Sequence, residues 1–145
     1  MNTLQAVALI THVVLGVAGT ITAYVVWQQL LRAQPHLRWL RRSSLATVLA
    51  WVGAWLAGGY YYVVYYGANV KSVIKAGQYG WAHSVFMEWK EHVFLFLPFL
   101  ALVVWLAVRK EPINAQPQLV WLSGILWVLA LLITGAGVLV SGAVQ

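Results

Sequence analysis

The chain has 145 residues, 62% of them hydrophobic and 8% charged, and it contains no cysteine. Soluble domains are about half apolar, so this is the composition of a membrane protein; the missing thiols exclude disulfides, zinc–thiolate and iron–sulfur sites, and haem attached through Cys-x-x-Cys-His. The net charge of +6 gathers beside apolar stretches, where it reads as a topological signal and not as a nucleic-acid footprint.

Four apolar stretches are each long enough to cross a hydrocarbon core, which takes about 20 residues of helix. They cover residues 4–31, 44–66, 82–108 and 118–143. The prediction is an all-α, polytopic membrane protein: one four-transmembrane-helix up-down bundle over residues 1–145, with no soluble domain. The first stretch lacks a basic leader and exceeds the apolar core of a signal peptide, so it reads as a retained helix. Arg32, Arg38, Arg41 and Arg42 crowd the first connection, and Arg109 and Lys110 open the third. The positive-inside rule then puts both connections in the cytoplasm and both termini outside. Lys71 and Lys75, in the second connection, weaken that bias without reversing it.

In the first span a stripe of Ala8, His12, Gly16, Gly19 and Ala23 lies along one face. Small residues at this spacing admit a second backbone or a flat ligand. His12 is the only ionisable group in the span's interior, among Ile10, Val13 and Val14, and an imidazole there needs a partner. Pro35 ends the helix, and His36 reads as a solvated loop histidine.

The second span carries a similar stripe, Ala46, Ala50, Gly53 and Ala57, and ends in Gly58-Gly59 and the run YYYVVYY. Most of those tyrosines suit an aromatic belt at the outer interface. One of them, Tyr60 or Tyr61, is expected to point where His12 points. Residues 67–81 interleave Val70, Val73 and Ile74 with Lys71 and Lys75, as a short amphipathic surface helix would, and such a helix could cap the outer mouth.

The third span opens on AHSVFMEWKEHV, which holds His83, Glu88, Glu91 and His92. Glu88 and His92 are four apart and share a helical face. Pro98 follows, removing a hydrogen bond to the Phe94 carbonyl and kinking the helix. The fourth span offers Ala130, Thr134, Gly137 and Ser141 on one face.

Helical rise converts these positions to depth. His12 comes out about 30 Å above Arg32, His92 about 25 Å above Arg109 and Tyr60 about 27 Å above Arg42, with Thr134 in the same region. The groups therefore share an outer-leaflet layer. A b-type haem for electron transfer would use His12 and His92 as axial ligands between the first and third spans, with Gly16 and Gly19 beside the porphyrin and Tyr60 or Tyr61 as a hydrogen-bonding partner. Alternatively, His12, His83, Glu88 and His92 could hold a copper, iron or zinc ion. A third use is a proton or quinone site at Glu88 and His92. The non-chemical reading is a cofactor-free accessory or assembly subunit in the lipid bilayer, whose small-residue stripes pack within a larger complex or a homo-oligomer. No catalytic residue is assigned: the chain lacks Asp and G-x-S-x-G, and Ser84 beside His83 is badly placed for a dyad.

With His12 in the first span, His36 in the basic first connection and His92 opening the third, the layout resembles small bacterial four-helix membrane proteins linked to terminal oxidase assembly. That resemblance implies a respiratory-membrane role, in a bacterial cytoplasmic membrane. The departure is in RKEPINAQPQ, the second basic connection, which has no histidine.

Overall fold

A computed structural model of the chain describes residues 1–76, 88–110 and 117–142, apart from the side chains of Val73, Ile74, Glu88, Lys90, Glu91, Val140 and Ser141. Four long helices dominate: α1 (Thr3–Leu30), α2 (Leu37–Tyr61), α3 (Glu88–Arg109) and α4 (Pro117–Gly142). Each belongs to a segment long and apolar enough to cross a membrane.

Local chemistry explains where the helices begin. The Asn2 side chain accepts from the Gln5 amide at 2.9 Å while Gln5 Oε1 accepts from the Asn2 amide at 2.8 Å, a reciprocal cap that satisfies two otherwise orphaned donors. Pro117 opens α4 at the position where its missing N–H costs nothing.

The start of α2 differs from expectation. It lies at Leu37, not at residue 44, so the first connection is short and Arg38, Arg41 and Arg42 sit on the helix's opening turns. Charge marks water depth, not a helix end, and arginine is a good helix former; Pro35 sets the real boundary.

Beyond Tyr61 the backbone widens into a π-helical turn, Tyr62–Tyr66, and tightens again over Gly67–Asn69. A π turn inserts a residue and rotates the side chains beyond it. Tyr66 is thereby buried against Tyr62, with ring centroids 5.3 Å apart and 23° between planes, while Tyr60, Val63 and Val64 face outward. A short helix, Lys71–Ala76, comes next, as the amphipathic pattern predicts. Its Val73 and Ile74 side chains, and residues 77–81, lie outside the described residues.

The long helices alternate in direction. α1 packs on α2 and α4, and α3 packs on the same two, so α1 and α3 face each other across the bundle. The start of α1 and the end of α4 therefore lie at one end of the bundle, the terminal end; the 31–36 turn, the end of α3 and the start of α4 lie at the other, the basic end.

The outside differs from that of a soluble protein, because large apolar side chains cover it. Thr20, Ser43, Ser44, Thr47 and Ser123 are inside, while Ile10, Val14, Leu49, Phe96, Phe99, Trp121 and Val138 are exposed. Four of these hydroxyls bond carbonyls of their own helices, Thr20 to Gly16, Ser44 to Arg41, Thr47 to Ser43 and Ser123 to Val120, which satisfies them without water. Among themselves the helices are held by an apolar core running from Leu40 and Val108 at the basic end through Ala23, Trp51, Leu97 and Ala130.

Candidate functional site

His12 stands half-buried near the terminal end of α1, and its ring is held by α2 and α3. Nδ1 lies 2.9 Å from the Ala54 carbonyl oxygen. A carbonyl can only accept, so Nδ1 carries the hydrogen and Nε2, in the neutral ring, is left as the lone-pair nitrogen.

Gly58 makes that bond possible. It stands one turn beyond Ala54, and a Cβ there would run into the His12 ring at Nδ1 and Cε1. From α3, Phe94 approaches the imidazole edge-on, with centroids 5.5 Å apart and planes at 81°. Pro98 lies within α3 one turn further, and having no N–H it leaves the Phe94 carbonyl without its helical donor.

Phe94 also meets Trp51 edge-on at 5.9 Å. Trp51 is 1% exposed and fills the space beside Gly19, where an added Cβ would stand 2.8 Å from the indole nitrogen. That indole N–H has no hydrogen-bond partner among the described residues. Of the two glycines expected to flank a flat ligand, Gly19 is thus closed by Trp51, while Gly16 has nothing within 4 Å of where a Cβ would be.

His92 is exposed on α3. It precedes Phe94 by two residues, about 200° around the helix, and Phe94 is the residue that touches His12. The two histidines therefore leave their helices in different directions. His83 lies outside the described residues, as does the Glu88 side chain, and among the described residues no group of three or more His, Asp or Glu could hold a metal ion.

The tyrosines sort by the same rotation. Tyr60 comes two residues after Gly58 and is exposed, away from His12. Tyr61 comes three after it, which puts it on Gly58's side one turn further out, paired with Tyr65 at 5.6 Å. Thr134 leaves the layer altogether. Its hydroxyl bonds Thr20 Oγ1 at 3.0 Å, and Thr20 is eight residues, about 12 Å, from His12 along α1.

Ala54, Phe94 and Trp51 escape a reading of ionisable groups because none is ionisable. The signal within reach was Gly58, which ends the small-residue face of α2 at the level of His12.

Fold and site together define a helical bundle of membrane-spanning length with one histidine clamped across its terminal end. No protein-family model matches the chain, and neither a curated protein nor a solved structure is similar to it.

Proposed function

We propose that the protein is an integral membrane protein that holds a metal-based redox centre at the terminal end of the bundle, with His12 Nε2 as a ligand. One observation carries this reading: Nδ1–H of His12 donates to a backbone carbonyl of the neighbouring helix. Metal-ligating histidines are characteristically fixed in this way, the second nitrogen anchored so that the first presents its lone pair.

The filled space beside Gly19 favours a single copper or iron ion over the broad face of haem b, while a zinc ion would leave the centre without redox chemistry. The divergence of His92 from Phe94 favours a ligand other than His92 as the companion of His12. Electron transfer in support of a respiratory chain is the role such a centre serves in a membrane. The cations at the basic end support an orientation with both termini outside a bacterial cytoplasmic membrane.

A second reading has its own observation. Gly58 and Phe94 close on the His12 ring as they would on a packing residue, which suits a cofactor-free accessory subunit of a larger membrane complex.

Elemental analysis and a visible spectrum of the purified chain separate the two. A stoichiometric metal or a Soret band, lost in His12→Ala and kept in His92→Ala, is the expected result. Absence of both from protein purified without chelator leaves the packing role.

A further inference from the structure

We infer that the basic end of the bundle is a docking surface for anionic phospholipid, with Arg38 and Arg42 on α2 and Arg109 on α3 taking the lipid phosphates. Six of the chain's nine cations stand at this end: Arg32, Arg38, Arg41, Arg42, Arg109 and Lys110. The chain has three acids, and two of them, Glu88 and Glu91, begin α3 at the opposite end. Only Glu111 comes after the cations in sequence.

Helix pairing brings the arginines to one level. Trp51 and Phe94 touch across antiparallel α2 and α3. Stepping thirteen residues toward the basic end on both helices (51 − 13 = 38; 94 + 13 = 107) sets Arg38 level with Ala107, beside Arg109. Arg38 and Arg42 are four apart on one face and separated by about 6 Å of rise. That span matches the headgroup layer, which is roughly 5–7 Å deep on each side of the hydrocarbon.

The neighbours decide between a lipid and a soluble anion. Arg38, Arg42 and Arg109 are exposed, and so are Leu31, Leu37 and Trp39 at the same end. The Arg109 guanidinium lies 4.9 Å over the Trp105 ring. Exposed leucine and tryptophan beside arginine suit the boundary between acyl chains and phosphates, where an amphipathic ring sits at headgroup level and a guanidinium forks onto phosphate oxygens. A nucleic acid would leave those apolar side chains in water. The opening turn of α2 adds to the field. It has no acidic residue and takes no side-chain cap from His36, so among the described residues no carboxylate offsets its positive end.

The test is lipid retention. The full chain, extracted in detergent with equimolar phosphatidylglycerol and phosphatidylcholine, is examined by native mass spectrometry. Each interfacial cation strengthens attachment to an anionic surface about fivefold, so a preference for phosphatidylglycerol of at least about tenfold is expected, weakening as salt rises. The Arg38→Gln, Arg42→Gln, Arg109→Gln triple variant is expected to lose most of it. Equal retention of both lipids by the wild-type chain overturns the inference without recourse to any variant. So does an undiminished preference in a triple variant of native helicity, or tighter binding of a single-stranded oligonucleotide than of phosphatidylglycerol vesicles.

Discussion

A histidine inside an apolar helix must find a hydrogen-bond partner, because an unpaired ring nitrogen in hydrocarbon costs several kcal/mol. The sequence made that need visible at His12 and could not say who meets it. The partner is a main-chain carbonyl, which every residue possesses and no side-chain pattern advertises. In an α-helix the Ala54 carbonyl already faces the amide of Gly58; the missing Cβ of Gly58 is what lets a second donor reach it. Two adjacent glycines therefore behave oppositely. In Gly58→Ala the new methyl collides with the imidazole and displaces its hydrogen bond, an expected loss of about 1–3 kcal/mol. In Gly59→Ala the methyl enters open space, and replacing a helical glycine gains roughly 0.5–1 kcal/mol. Thermal unfolding of the two variants in one detergent checks the pair, and equal shifts would mean that the His12 ring is not wedged against α2.

At the scale of the helices, periodicity announced small-residue faces but not their partners. On α1 the stripe divides: Gly19 receives Trp51 of α2, whereas Thr20, one residue on, turns to α4. The α1–α4 seam is fastened by a hydroxyl pair and by aromatic rings, Tyr24 and Trp27 both meeting Trp127. Thr20 and Thr134 bond each other while each also bonds the carbonyl four residues back in its own helix, to Gly16 and Ala130. Nearer the basic end, Trp27 stacks on Trp127 with centroids 5.0 Å apart and planes at 13°, and Gly124 leaves room for the Trp27 ring. Thr134 was legible as a polar group and misread in depth, since counting from a helix end ignores which neighbour is reached. The boundary of α2 was misread for a related reason: hydropathy reports the depth of the water, whereas the helix continues through arginine to the proline. Because each threonine keeps its intrahelical bond when the other is replaced, Thr20→Val and Thr134→Val should each cost only about 0.6 kcal/mol, the usual value for a hydrogen bond between membrane helices. The double variant should cost less than the sum, with a coupling of similar size. Strictly additive losses would show that the hydroxyls do not interact.

For the whole molecule, composition was decisive where motifs were not. Apolar length alone fixes four long helices, and consecutive spans of one bilayer must alternate in direction, which returns the start of α1 and the end of α4 to one end. Orientation in the bilayer depends on a separate asymmetry, that of charge. The basic end carries Arg32, Arg38, Arg41, Arg42, Arg109 and Lys110, while Lys71 and Lys75 are the cations of the short helix near the terminal end. Lysine and arginine near span ends are retained on the cytoplasmic side during insertion, so six against three, with Lys90 at the start of α3 counted beside Lys71 and Lys75, should hold the basic end inside. Because the chain has no cysteine, a single introduced thiol reports its own side without background. Asn69 and Ala33 are both exposed, at the terminal and the basic end respectively, and neither helps to pack the four helices. In a bacterial cytoplasmic membrane, Asn69→Cys should react with an impermeant maleimide in intact cells, and Ala33→Cys only after lysis. The reverse pattern would place the histidine clamp at the cytoplasmic face, and the charge asymmetry would then have failed to set the topology.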